Sequence, residues 1–493
     1  MSDIVIENLD PVNIKIHCDE SISKELNTFF TFQVPNYKYT PAYKNKKWDG
    51  QIRLFNSYTK KIYAGLLKYI VKFAEDKDYS VEYEVETDND VCISETKSFV
   101  DSLEIESRGE KITPHDYQID AINHSIKNER CLLLSPTGSG KSLIIYSLVR
   151  HYAEKLNDGE QILIIVPTTS LVSQMYNDFR DYAGSKWDVD SNCHVIFSGQ
   201  DKVSPKKVVI STWQSIYKLP VDYFNSYKVV IGDEAHQYKS KSLTGIMTKM
   251  LNTDIRIATT GTLDNVNVHK LVIEGLFGPV YKVTSTKELM SRDLLSNLKI
   301  DCIMLQYDEA DIAQIKRAPY IDEIKWLVQQ EKRNKFIANL ADSITGNTLL
   351  LFNFVDLHGK PLYELIQKLC SNKKVFFIHG GTDIEQREKI RKIVDEETNA
   401  ILVASYGTCS TGINIRNINN IIFTSPSKSV VRVLQSIGRG LRRSDRKDSV
   451  KLYDIGDNLT YKSHKNYSFR HMDARTKIYT NEKFEFKIVP ITL

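Results

Sequence analysis

The sequence predicts an α/β protein in which two parallel-sheet domains follow one another behind a small N-terminal α/β domain. Three observations carry that prediction. From Arg130 to Thr262, short apolar runs alternate with segments of helical spacing, the pattern of strands buried on both faces beneath covering helices. The same alternation begins again at "TLLLFNF" (348–354) and runs to "VKLYDIG". Residues 1–107 have a different rhythm, with "YSVEYEVET" alternating at period two and an acidic stretch from Glu75 to Asp90, so they read as a separate small domain.

In chain order, "CLLLS" opens the first parallel-sheet domain (108–282) and leads into a helix over Leu143–Leu156, with Ile144, Ile145, Leu148, Val149 and Tyr152 on one side. "ILIIVP", "HVIFSG", "KVVIST", "KVVIGDE" and "RIATTGT" supply its further strands. Residues 283–347 are more charged and helix-like, which suits a connector. The second domain (348–457) continues from "TLLLFNF" through "KVFFIHGG", "NAILVASYG", "NNIIFTSP" and "VKLYDIG", and 458–493 follow as a C-terminal extension. The two domains share a rhythm but no visible sequence repeat.

A chain of 493 residues is long enough for several cores. The net charge is +4, the hydrophobic share is 41%, and no apolar run approaches a membrane span, which needs roughly 18 residues. The start "MSDIVIENLDPVNIKIHCDE" has no basic flank followed by an apolar block. A soluble, cytoplasmic, monomeric protein without a membrane partner is expected. Cys18, Cys92, Cys131, Cys193, Cys302, Cys370 and Cys409 include no CxxC pair, so they read as small core residues in a reducing compartment.

Three motifs carry chemistry. "SPTGSGKS" (135–142) lies between a strand and a helix, where backbone N–H groups and the helix N-terminus can cradle a phosphate. Gly138 and Gly140 let the backbone approach, Lys141 brings charge, and Ser142 can ligate magnesium. The alternative is a glycine-rich turn. "VVIGDEAH" sets Asp233 and Glu234 at a strand end, where one acid can hold Mg2+ and the other polarise water; the alternative is a helix-capping acid. His236 alone is often a satisfied core residue. In "QSIGRGLRR", Arg439 and Arg442 are three residues apart, on one helix face with Gln435 upstream. They can stabilise charge on a transferring phosphoryl group, or form a solvated basic face.

In this order the motifs resemble those of the superfamily two helicases and translocases, in the DEAH-lettered DNA-repair branch, over roughly residues 110–457. "HDYQIDAI" resembles the adenine-side motif, with His115 where many relatives have arginine; Ser135 is the variant seen in many of these motors. "VPTTSLVSQ" and "STWQSI" resemble strand-contacting motifs, "TTGT" (259–262) the coupling motif of Thr260 and Thr262, and "LLLFNF", "HGGT" and "SYGTCSTGIN" the second-domain motifs. The resemblance implies two tandem RecA-like domains, with ATP and Mg2+ as cofactors. It assigns ATP binding to Gln118, Thr137, Gly138, Ser139, Gly140, Lys141, Ser142, His236, Gly412 and Gln435. Catalysis falls to Lys141, Asp233, Glu234, Arg439 and Arg442, and the metal to Ser142 and Asp233.

Nucleic-acid contacts are expected from Thr168, Thr169, Thr212, Thr408 and Thr411, each of which could equally cap a helix. The segment 36–65 brings Lys38, Lys44, Lys46, Lys47, Arg53, Lys60 and Lys61 together against one acid, Asp49. Tyr37, Tyr39, Tyr43, Trp48, Phe55 and Tyr58 are interleaved with them. Basic charge binds phosphates and aromatic rings stack on bases; the alternative is a solvated face over a tyrosine-rich core. The resulting expectation is an ATP-dependent DNA helicase and translocase. The resemblance implies branched or duplex DNA and RNA–DNA hybrids as partners, in branch migration, fork regression and loop unwinding. The competing readings are an RNA helicase and an ATP-gated duplex-binding protein that does not translocate.

Overall fold

A computed structural model describes residues 2–493 except 36, 84–89, 198, 264–266, 409–414, 416, 426–428, 430–432, 435, 439–440 and 442–448. The chain divides into two compact units, Met1–Ser135 with Gly140–Val283, and Pro136–Ser139 with Thr284–Leu493.

The first unit holds a seven-stranded, all-parallel sheet. Its order is Cys193–Ile196, Val208–Thr212, Gln161–Val166, Tyr227–Gly232, Ile255–Thr260, Arg130–Leu134 and Val280–Lys282. Counted along the chain, that is strand order 3-4-2-5-6-1-7. Ile162 to Val166 and Val229 to Gly232 are buried throughout, which is why these strands read as unbroken apolar runs. The helix Lys141–Ala153 buries every residue from Leu143 to Val149. It packs on the helices Asp116–Asn128 and Thr169–Ala183 as well as on the sheet, so it is covered on more than the one side its spacing suggested.

The small N-terminal domain belongs to the same unit. Its sheet runs Lys61–Tyr63, Asn13–Cys18, Ile4–Asn8 and Val81–Tyr83. Asn13–Cys18 is antiparallel to both of its neighbours, and Val81–Tyr83 is parallel to Ile4–Asn8. The helices Glu20–Phe29 and Leu67–Glu75 supply Leu26, Ile70 and Phe73 to a core shared with Ile4 and Ile16. Of the period-two stretch, Val81–Tyr83 forms a strand and 84–89 lie outside the described residues.

The second unit repeats the topology that its sequence conceals. Its parallel strands lie in the order Val375–Ile378, Ile401–Ser405, Thr348–Phe352, Asn420–Phe423, Ser449–Asn458, Asn297–Gln306 and Phe486–Thr492. Counted along the chain this is again 3-4-2-5-6-1-7. Residues 283–347, expected to be helix-like, therefore contain the sheet's first strand, and the C-terminal extension contains its seventh. Asn297–Gln306 alternates in burial over its first half, so it lacks the solid apolar run of its neighbours. Phe486–Thr492 is an edge strand with Pro490 in it, a residue an edge tolerates because no ladder bond is lost on the outer side.

Two buried ion pairs hold that C-terminal part. Arg333 Nε donates to Asp457 at 2.8 Å, with Tyr307 and Ser468 hydroxyls donating to the same carboxylate. Arg475 Nε donates to Asp454 at 2.8 Å, joined by the Tyr479 hydroxyl.

Candidate nucleotide site and nucleic-acid surface

The phosphate-binding motif, the acidic pair and the "TTGT" motif meet at the carboxyl ends of three neighbouring strands. Ser135 follows Arg130–Leu134, Asp233 follows Tyr227–Gly232, and Thr259 and Thr260 end Ile255–Thr260. The carboxyl end is where parallel α/β sheets place their ligands. Parallel register aligns Thr260 with Leu134, and Ser135 N donates to Thr260 O at 2.8 Å.

Gly140 caps the helix Lys141–Ala153 with φ +81°. A Cβ there would lie 2.2 Å from Gln118 Nε2, so the turn needs glycine both for its backbone and for room. Gly138 also has positive φ, +88°. Gln118 is buried; its side-chain oxygen accepts from His115 N at 2.8 Å, which leaves the amide group facing the loop. Lys141 Nζ lies 3.1 Å from Ser135 O, and Ser142 occupies the helix's first turn. Ser139 is buried, its hydroxyl donating to Pro136 O; Thr137 is half-buried.

Asp233 is anchored by its backbone N–H to Ile165 O, and its carboxylate accepts from the Thr259 hydroxyl at 2.8 Å. Burial first, and then the neighbouring Glu234 carboxylate, push Asp233 up from an ordinary 3.8 to about 6, while Lys141 and Thr259 pull it down. Glu234 sits in the left-handed region, φ 52° and ψ 53°, a conformation that non-glycine residues adopt at a cost of about 1–3 kcal/mol. His236 Nδ1 lies 3.2 Å from Glu234 Oε2 and 3.2 Å from Thr260 Oγ1. The Thr260 hydroxyl donates to Thr262 O at 2.9 Å. Close polar contacts therefore link Glu234, His236, Thr260 and Thr262.

These residues fit a magnesium–nucleotide complex. Gly138 and Gly140 have positive φ in the loop, and a carboxylate with a hydroxyl is the sparse protein donor set that Mg2+ takes when phosphates and water complete its shell. Among the described residues no group of three or more His, Cys, Asp or Glu could hold a metal unaided. Asp233 and Ser142 would hold the cation, which would neutralise phosphate charge.

The other assigned residues divide. Thr168 caps the helix Thr169–Ala183, its hydroxyl accepting from Leu171 N at 3.4 Å, and Thr169 is exposed. Thr212 and Thr408 are buried, contrary to the expectation of open contact groups. Thr212 is 2.9 Å from the Ser215 hydroxyl and Thr408 is 2.7 Å from that of Ser405. Thr212 and Ser405 each end the fourth strand of their sheet, so both units close this corner with a hydroxyl pair. Thr411, Gly412, Gln435, Arg439 and Arg442, with Cys409, lie outside the described residues. Thr259 was not singled out from the sequence; the adjacent threonines of "TTGT" were visible, but their position opposite Asp233 follows only from the strand pairing.

In the N-terminal domain Lys38, Lys44, Lys46, Lys47, Tyr43, Trp48 and Asp49 line an open groove of about 620 Å³. The four lysines are exposed. Gly50, φ +82°, lets the chain turn where a Cβ would strike the Tyr37 ring at 2.1 Å, and Tyr37 stacks edge-on with Tyr43 at 4.7 Å. Trp48 donates its indole N–H to Gln51 O at 2.7 Å, which fixes a half-buried ring in the wall. The Arg53 guanidinium pairs with Asp49 and Gln51 at the surface. Lys60 pairs with Glu20, so the patch draws on the lysines of 38–47.

Three family models match the chain: "DNA helicase UvsW, N-terminal" over residues 3–84, "Type III restriction enzyme, res subunit" over 111–265 and "Helicase conserved C-terminal domain" over 331–444. A curated relative, the ATP-dependent DNA helicase uvsW of Enterobacteria phage T4, is 32% identical over 507 aligned positions covering 100% of both chains. The crystal structure of T4 UvsW matches over 99% of each chain at 31% identity, with a TM-score of 0.53. A DNA 3'-5' translocase of Sulfurisphaera tokodaii, XPB2, is 24% identical over 50% of this chain and 48% of its own. With full-length identity above 30% to one helicase and helicase models over both parallel-sheet units, the chain belongs to the UvsW family of ATP-dependent helicases.

Proposed function

We propose that this helicase acts on DNA, hydrolysing ATP at the strand ends of the first unit and holding branched or duplex DNA in the N-terminal lysine groove. The observation that carries the reading is the set of close polar contacts among Glu234, His236, Thr260 and Thr262 in the same motif as Asp233, whose carboxylate the Lys141 charge acts on. Lys141 binds the terminal phosphates, Asp233 and Ser142 hold the cation, and Glu234 orients the attacking water and takes its proton. Gln118, Thr137, Gly138, Ser139 and Gly140 shape the pocket. The family resemblance assigns Arg439, Arg442, Gln435 and Gly412 to the same nucleotide, and Thr411 with Thr168 and Thr169 to the strand. The groove's four lysines and Trp48 suit phosphates and bases without reading sequence, and the family resemblance adds junctions, regressed forks and RNA–DNA hybrid loops as the substrates.

The test is a strand-displacement and ATPase panel over single-stranded, duplex, forked, four-way and hybrid-loop substrates at fixed salt. Displacement of a labelled third strand, with preference for branched DNA over matched RNA, is expected. Nucleotide-dependent binding without displacement would instead identify a clamp.

A further inference from the structure

We propose that the helix Asn267–Phe277 carries the nucleotide state to the N-terminal domain, with Tyr69 and Glu274 as the positioning pair that joins the two. The inference rests on the reading of both sites given above. The helix starts five residues after Thr262, the last of the residues linked to Glu234. At its other end the Phe277 ring meets Tyr238 edge-on, with centroids 4.9 Å apart. Tyr238 lies four residues beyond Glu234, and a Cβ on Gly232, the residue before Asp233, would strike both the Tyr238 hydroxyl (2.7 Å) and the Phe277 ring (2.9 Å). The C-terminal end of the helix is thus tied to the acidic motif.

Its middle is tied to the N-terminal domain. Gly65 packs so closely on the helix that a Cβ would lie 2.1 Å from Glu274 O, and Gly275 packs equally hard on Tyr63, at 2.9 Å. Glu274 is 2% exposed. Its carboxylate accepts from the Tyr69 hydroxyl at 2.7 Å and from Val280 N at 3.2 Å, with Lys270 Nζ at 3.8 Å. Tyr63, Gly65 and Tyr69 follow directly on the basic segment that ends at Lys61. Packed interiors of this kind do not compress. A displacement of Tyr238 on nucleotide binding must therefore move the helix, and with it the elements against Gly65 and Tyr69. Tyr69 touches neither nucleotide nor groove lysines, so its role is positional.

The experiment measures linkage in the full-length protein. Affinity for forked DNA and for a single-stranded oligonucleotide is determined with and without a non-hydrolysable ATP analogue, in wild type, Tyr69→Phe and Glu274→Gln. In wild type the analogue should change fork affinity at least about five-fold, the lower end of ordinary coupling. Tyr69→Phe, which keeps the ring and removes only the hydroxyl, should bring that factor near one. The separate affinities for fork and analogue, the linkage for the single strand and the melting temperature should stay at wild-type values. Glu274→Gln, which keeps an acceptor for Tyr69, should retain most of the linkage. An unchanged fork factor in Tyr69→Phe overturns the relay and leaves the two sites standing, as does a wild-type factor of one with both ligands bound. Failure of wild type to bind the analogue or the fork overturns the relay together with the reading beneath it.

Discussion

Glu234 is the residue on which the proposed turnover rests, and its backbone sets it apart. A left-handed φ at a glutamate turns the side chain back from the line of its strand towards His236, so a backbone cost is exchanged for a fixed carboxylate. Asp233 beside it is defined by its surroundings rather than by its type. Because its folded pKa of about 6 lies above the ordinary 3.8, the nucleotide-free protein draws stability from it fully below 3.8 and loses that as pH rises through about 6. Asp233→Asn should therefore melt above wild type at pH 7 to 8 without nucleotide and metal, read by calorimetry; equal melting would remove the assigned burial. In wild type, kcat/KM for ATP should fall on the acid side near pH 6. Thr259→Val, which deletes the hydroxyl holding the carboxylate down, should move that limb to higher pH.

At the scale of elements, the two sheets use one strand order for opposite ends. In the first, a lysine at the start of the helix after the first strand stands near Asp233 and a glycine loop. In the second, Arg333, in the first turn of the helix leading into Thr348–Phe352, is neutralised by Asp457 at the end of the sixth strand, and Tyr307 follows the first strand where the other sheet has its loop. The second cradle is thus filled by its own ion pair. Removing one partner of such a pair costs about 3–5 kcal/mol, so Arg333→Met should lower stability by that amount in denaturant titration, whereas an exposed control such as Lys335→Met should change it by less than about 1 kcal/mol. The strands around the nucleotide motifs were legible because burial on both faces leaves solid apolar runs. Asn297–Gln306 and Phe486–Thr492 were not, since one alternates with charge and the other is a largely exposed edge. The buried aspartates of Ser449–Asn458 made sense only once arginines from distant helices were in place. In the site, residue types and spacing gave Lys141, Asp233 and Glu234, but the hydrogen bonds from Thr259 and His236 depend on which strands are neighbours, and no spacing encodes that.

At the scale of the whole molecule, Lys141, Asp233 and the N-terminal lysine groove lie in one compact unit. Lysine contacts to phosphate release counterions, so each contact contributes about 0.9 to the slope of log affinity against log salt on duplex DNA. Replacing Lys44, Lys46 and Lys47 by alanine should reduce that slope by about 2 to 3, with DNA-free ATP hydrolysis unchanged. A slope that does not move would place DNA elsewhere. The most direct test of the central claim is DNA-stimulated ATP hydrolysis by Glu234→Gln, measured beside its ATP and DNA affinities. A positioned general base is worth about 10²–10⁴-fold, so turnover should fall by at least two orders of magnitude while both affinities stay within about twofold of wild type, a margin far below the roughly 1.4 kcal/mol of a tenfold change. Turnover that persists at the wild-type rate would contradict the account.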